Sequence, residues 1–131
     1  MKADMVFTGK RKTCVARLVV TPGKGGIYIN DAPLESIQNT IMTSKITAPL
    51  VLATDYWRSH NFFFKIEGGG PVAACDAAAA ALAKALVENN PGLRDQLLTF
   101  DRSLLVDDPR QAEPKKPNRR SARRFKQKSY R

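Results

Sequence analysis

Asn61-Phe62-Phe63-Phe64-Lys65-Ile66-Glu67-Gly68-Gly69-Gly70-Pro71-Val72-Ala73-Ala74-Cys75-Asp76 passes from a strand pattern to a helix pattern across three glycines. The aromatic run up to Glu67 reads as a largely buried strand, with at least alternate phenylalanines in the core. Gly68-Gly69-Gly70 ends it, and Pro71 opens a helix, its ring supplying the φ that a first helical residue needs. That helix runs to about Asn89 and is rich in alanine: Ala73, Ala74, Ala77 to Ala81, Ala83 and Ala85. Alanine is the best intrinsic helix former, and its small side chain permits close approach to a sheet. Asp76 lies toward the end of the helix dipole that favours negative charge. Asn89-Asn90-Pro91-Gly92 stops the helix, and a second short one is expected over Leu93–Phe100.

Upstream, Met5-Val6-Phe7-Thr8 reads as a short strand. Thr13 to Thr21 alternates, with Cys14, Ala16, Leu18 and Val20 on one face and Val15, Arg17 and Val19 on the other. Pro22-Gly23-Lys24-Gly25-Gly26 reads as a turn, and Ile27-Tyr28-Ile29 as the returning strand of a hairpin. Asp31 before Ala32-Pro33 marks a helix start, with helical structure expected over Leu34–Thr54 and a break near Pro49. The order is three strands, helix, strand, helix. That is an α+β chain folded as a two-layer α/β sandwich.

The chain has 131 residues, enough for one domain or one domain with a tail, and its apolar fraction of 43% supports a modest core. Its net charge of +10 points to a polyanionic partner. No apolar stretch approaches the roughly 18 residues that span a bilayer. Met1-Lys2-Ala3-Asp4 leads into no signal-peptide apolar region, so the expected location is cytoplasmic. Cys14 and Cys75 lie far apart with no CxxC, and His60 is the single histidine. No metal site, disulfide framework or cofactor is expected, and most enzymes are disfavoured.

The charge is unevenly placed. Lys2, Lys10, Arg11, Lys12, Arg17 and Lys24 against Asp4 give residues 1–24 a net of +5, whereas residues 25–109 net −4. Arg110, Lys115, Lys116, Arg119, Arg120, Arg123, Arg124, Lys126, Lys128 and Arg131 against Glu113 give residues 110–131 a net of +9. The expected organisation is a globular domain over 1–109 and an extended basic tail over 110–131. The tail holds only Ala112, Ala122, Phe125 and Tyr130 as non-polar or aromatic residues, too little burial to offset chain entropy. Pro114 and Pro117 favour an extended path. Such a segment is expected to take shape only against phosphate; a merely solubilising tail is the plainer alternative. Arginine suits planar phosphate contacts, whereas solubility is served as well by Asp and Glu.

Several short motifs admit two readings. Gly9-Lys10-Arg11-Lys12-Thr13 resembles a phosphate loop only superficially, because Thr13 follows no Gly-Lys pair. It reads better as three consecutive cations on an extended segment facing a nucleic-acid backbone, or as a solvated strand edge. Gly23-Lys24-Gly25-Gly26 matches the GXXG of RNA-binding KH domains, but here it joins two strands, so a tight turn explains it. Gly68-Gly69-Gly70 either offers helix N-terminal N–H groups to an RNA phosphate or lets the helix pack on the sheet. Asp107-Asp108 beside Pro109 reads as a turn or helix-end cap before it reads as an acid–base pair. Cys14 and Cys75 read as small core residues. Phe62-Phe63-Phe64 lacks the Arg/Lys-Gly-Phe/Tyr pattern of an RRM stacking strand.

Taken together, Gly9-Lys10-Arg11-Lys12-Thr13 with Val15-Ala16-Arg17, Pro22-Gly23-Lys24-Gly25 and Ile29-Asn30 resembles the opening of the ninth small-subunit ribosomal protein family. Gly68-Gly69-Gly70, Asp108-Pro109-Arg110, Glu113, Lys115-Lys116, Ala122-Arg123-Arg124 and Ser129-Tyr130-Arg131 continue the resemblance over essentially the whole chain. The Gln127-Lys128-Ser129-Tyr130-Arg131 ending is similar to the archaeal and eukaryotic branch. The resemblance implies a left-handed crossover in the sandwich and a place in the head of the small ribosomal subunit. It implies ribosomal RNA contacts along Lys115, Lys116, Arg119, Arg120, Arg123, Arg124, Lys126 and Lys128, with Tyr130 and Arg131 nearest peptidyl-site transfer RNA. Lys10, Arg11, Lys12, Arg17, Lys24, Gly68, Gly69, Gly70 and Arg110 complete the expected RNA-binding set. Neighbouring head proteins are expected partners, and no obligate homo-oligomer is. Two positions depart from the family pattern: Ala73-Ala74 replaces a usual Gly-Gln pair, and Asn118 replaces a common tail glycine, a position where asparagine tolerates left-handed backbone.

The expected mechanism is charge neutralisation: a globule docks on folded RNA while its tail fills a crevice where phosphates converge. Rival readings are a free-standing nucleic-acid packaging protein and an enzyme using Asp107, Asp108 or His60. A membrane-surface role lacks the required basic amphipathic helix.

Overall fold

The computed structural model describes residues 5–53 and 55–131. Lys2, Asp4 and Thr54, the expected end of the first helical region, lie outside the described residues. Five strands, β1 (Val6–Arg11), β2 (Cys14–Pro22), β3 (Ile27–Ile29), β4 (Ala32–Pro33) and β5 (His60–Glu67), form one sheet in the order β1-β2-β5-β3-β4. Helices α1 (Thr40–Leu52), α2 (Pro71–Asn89) and α3 (Leu93–Phe100) complete the elements, with 3₁₀ turns at Leu34–Ser36, Tyr56–Ser59 and Arg102–Leu104. The α+β two-layer reading holds.

Alternation does what the sequence pattern requires. Cys14, Ala16 and Leu18 of β2 and Phe62 and Phe64 of β5 are buried against the helices, and both cysteines are buried and free. Phe63 points the other way and is 40% exposed. In α2 every residue from Ala77 to Ala83 is buried, because the helix is covered by the sheet and by α1. The alanine methyls let the helix lie close to its neighbours, while Leu82 and Leu86, equally buried, supply bulk to the core. Its closest approach is at Gly9: a Cβ there would sit 2.0 Å from the Ala77 carbonyl oxygen. Gly9 is therefore the seat of the helix on β1.

Three expectations are corrected. The β2–β3 hairpin does not form, because β5 enters between them, antiparallel to β2 and parallel to β3. A fully apolar inner row, Phe62 and Phe64, gains most from a central position with neighbours on both sides. Secondly, Asp31 starts no helix. Asn30 and Asp31 take φ of 47° and 69° and turn the chain into β4, which pairs with β3. Paired positive φ angles are what a tight hairpin turn uses, and asparagine and aspartate tolerate them. The helix begins later, where the Asn39 side chain accepts hydrogen bonds from the backbone N–H groups of Ile41 and Met42 at 3.1 and 3.4 Å. Thirdly, Pro49 sits inside α1 without ending it. The lost hydrogen bond is outweighed by packing, since Ile46, Pro49 and Leu50 are all buried in the core.

Candidate nucleic-acid interface

β1 ends in Lys10 and Arg11, and Lys12-Thr13 forms the turn into β2. The three cations do not share an extended run. Lys12 has φ 53°, and strand alternation sends Arg11 to the helix side, away from Lys10. Arg11 pairs there with Asp108 and approaches Asp76 at 3.8 Å, leaving its side chain only 18% exposed. Asp76 in turn binds Lys45 at 2.8 Å. Asp108 also accepts from Arg110, at 2.9 Å from both the backbone N–H and Nε and at 2.7 Å from Nη2. The Arg110 hydrogen bonds, side chain first and then backbone, with the Arg11 and Arg110 charges, hold the Asp108 carboxyl well below the usual carboxylate range. The same pairing raises the Arg110 guanidinium.

Asp107 binds Lys84 of α2 at 3.1 Å, and Lys84 also donates to the Thr8 carbonyl at 3.0 Å. The Asp107-Asp108 pair is therefore a double clamp where the tail leaves the body. The expected turn is present too, as the Asp108 side chain accepts from the Arg110 N–H two residues on. A groove of about 430 Å³ at this root is lined by Lys10, Arg11, Lys45, Asp76, Asp108 and Arg110, among others. His60 is elsewhere: its Nδ1 lies 2.9 Å from the Ser59 hydroxyl and 3.0 Å from the Tyr56 carbonyl, and its ring packs on Tyr56. The acid–base candidates thus each have structural partners, and among the described residues no His/Cys/Asp/Glu cluster suits a metal ion.

The glycine loops have strong local causes. Asn61 of β5 accepts hydrogen bonds from the backbone N–H groups of Lys24 and Gly26, both at 3.0 Å, so the Gly23–Gly26 loop is tied to β5 and the Lys24 side chain stays outside. Gly68 and Gly69 have φ of 76° and 64°, and a Cβ on Gly68 would come 2.7 Å from the Thr13 carbonyl oxygen. Packing accounts for these two. Gly70 is different: it caps α2 with no side-chain hydrogen bond and has open space around its Cβ position. Ala73 and Ala74, where the family pattern has Gly-Gln, are half-buried in the first turns of α2.

No residue of 110–131 is buried; Arg119 and Ala122 are half-buried and the others exposed. Gln111 Nε2 donates to the Lys12 carbonyl at 3.3 Å, and beyond it the segment's hydrogen bonds among the described residues are its own. Glu113 binds Lys116 at 2.6 Å and Arg123 at 2.8 Å, which lowers its pKa. Asn118 turns the chain with φ 61°, in keeping with its standing where a glycine is common. Arg119 then pairs with Phe125 as an isolated bridge, and its guanidinium lies 4.3 Å from the Phe125 ring centroid. Tyr130 is 90% exposed.

Of the expected RNA-contacting cations, Arg11, Arg17, Arg110, Lys116 and Arg123 have carboxylate partners. Lys10, Lys12, Lys24, Lys115, Arg119, Arg120, Arg124, Lys126, Lys128 and Arg131 have none among the described residues. Sequence reasoning missed the Arg11–Asp108 and Lys84–Asp107 pairs and the Arg119–Phe125 contact. Only the opposite charges at long separation hinted at the first two.

A body of net charge only +1 over residues 1–109, followed by an exposed +9 segment most of whose cations have no carboxylate partner among the described residues, has the form of a small basic protein that meets a polyanion. No helix among the described residues is long and apolar enough to cross a membrane. The family described as Ribosomal protein S9/S16 matches residues 9–131, and the chain belongs to it. It is 43% identical to the small ribosomal subunit protein uS9 of Desulfurococcus amylolyticus over 97% of this chain and 92% of that one. The protein of the same name from Thermoplasma acidophilum is 42% identical, covering 97% and 100%. That from Methanococcus vannielii is 41% identical, covering 94% and 95%. The chain is of the archaeal type, in a family of structural ribosomal proteins and not of enzymes.

Proposed function

We propose that this protein is a structural constituent of the small ribosomal subunit in the cytoplasm. It binds ribosomal RNA of the subunit head through its basic turn and tail, and reaches peptidyl-site transfer RNA with Tyr130 and Arg131. The observation that carries the reading is the separation of charge from core: the +9 segment 110–131 contributes no buried residue. A segment so exposed and so charged gains most where phosphates crowd and cannot otherwise be brought together.

In this reading residues 1–109 are the docking body and 110–131 an arm that takes its final shape from the RNA. The clamps at Asp107 and Asp108 aim the arm. Lys10, Lys12, Lys24, Arg17 and the Gly70 end of α2 face phosphates from the body, while Arg11 acts indirectly by holding Asp108. Lys115 to Lys128 line the path. Arginine and lysine on irregular chain position against phosphate and shape, so base selectivity is weak. Neighbouring head proteins share the site, and no self-association is required.

Co-sedimentation with small subunits lacking this protein tests the assignment. The full chain is expected to pellet with them at moderate salt, and a 1–109 truncation to do so much more weakly. Equal binding by both would remove the tail from the mechanism, and no binding by the full chain would end the reading.

A further inference from the structure

The sheet face turned away from the helices carries a continuous apolar row. Register aligns Val6 with Val19, Val19 with Phe63, Phe63 with Tyr28 and Tyr28 with Pro33, one residue from each strand. None of Val6, Val19, Phe63 and Tyr28 belongs to the packed core. Val6 is 58% and Phe63 40% exposed. The Phe63 and Tyr28 ring centroids are 5.0 Å apart with 9° between planes. Coplanar rings lying side by side on the sheet would collide at that distance, so these two stand upright and stack. One face of Phe63 is covered by Tyr28; the other is turned toward Val19. The row thus sets an exposed aromatic ring beside a β-branched aliphatic neighbour.

Two cations lie on one side of this row. The next row on the same face, about 7 Å along the strands, is Thr8–Arg17–Lys65. Arg17 and Lys65 share one carboxylate, Glu67, at 3.3 and 3.8 Å, with all three side chains at least half exposed. Exposed pairs of this kind contribute little, so an incoming phosphate competes on even terms. An exposed aromatic ring with a cation pair one row away is the arrangement that receives single-stranded nucleic acid: a base stacks and its phosphates meet the cations.

We propose that this outer sheet face is a second RNA contact, in which an unpaired base of ribosomal RNA stacks on Phe63 over Val19 while Arg17 and Lys65 hold the adjoining phosphates. The inference rests on the RNA-binding reading above and adds a site that the tail and the β1–β2 turn do not include. The charge favours RNA over a protein partner, for two cations face one carboxylate in a chain whose surplus charge is positive.

The test uses the full chain and hexa-adenylate, with a duplex of equal length as control. Stacking predicts upfield shifts of the Phe63 ring and Val19 methyl protons on titration with the single strand. Phe63→Leu, which keeps apolar bulk but removes the ring, is expected to weaken the single strand by about 5- to 100-fold. The duplex and the salt dependence should be unaffected, and thermal unfolding of the variant reports that the fold is retained. Phe63→Leu binding the single strand as well as the original chain overturns the platform while leaving tail binding intact. So does protection of Phe63 in assembled subunits by a neighbouring protein instead of RNA. Failure of the unaltered chain to bind any RNA overturns both readings.

Discussion

Arg11 and Asp108 are 97 positions apart, yet their ion pair joins the end of β1 to the first residues of the tail. One carboxylate thus serves two guanidiniums, that of Arg11 from the body and that of Arg110 from the arm. The direction in which the arm leaves is set by this junction, because among the described residues nothing beyond Gln111 hydrogen-bonds to the body.

The junction has a definite pH response. Asp108 is lowered in the folded state, so its contribution is complete above the ordinary aspartate value of about 3.9 and is lost only as pH falls through the lower folded value. Carboxyl NMR should show Asp108 titrating below that ordinary value. In Arg110→Ala the midpoint should rise. An unchanged midpoint would deny Arg110 the leading role.

Gly9→Ala should destabilise the body, since a methyl group would meet the α2 backbone at Ala77. Overpacking of this kind costs about 1–3 kcal/mol, and a fall of several degrees in the thermal midpoint is expected. Gly70→Ala, with open space around it, should change the midpoint little by comparison.

Binding to small-subunit RNA should be steeply salt-dependent. If about 6–10 cations displace counterions, affinity falls roughly 10³–10⁵-fold between 50 and 200 mM salt. The 1–109 truncation should show a much shallower slope. A slope near zero for the full chain would contradict neutralisation.

Removal of Tyr130 and Arg131 should weaken peptidyl-site transfer RNA while subunit assembly proceeds. Ribosome reconstitution with filter binding of transfer RNA measures both. Lost assembly with unchanged transfer RNA affinity would reverse the roles given to the tip and the path.

Much of the fold was legible because it is local. The Leu93–Phe100 helix, the Pro71 start and Asn89 end of α2, and the inward faces of β2 and β5 follow from period, proline and glycine placement. The Asn30-Asp31 turn was equally local but went unread, as Asp31 before Ala32-Pro33 also has the chemistry of a helix start. Pro49 misled in the other direction, since the burial that keeps α1 intact around it is tertiary.

The amino-acid sequence by itself determined the α+β composition of the body, the alternation that buries one sheet face, and an arm whose charge and prolines forbid a core of its own. These depend on neighbours in the chain or on summed charge, both of which can be read in one dimension. Tertiary structure alone decided that β5 lies between β2 and β3, that Gly9 seats α2, and that Arg11 is bound to Asp108 instead of standing free. Each of those is a meeting of residues far apart in sequence, and its energy exists only once the intervening chain has closed around it.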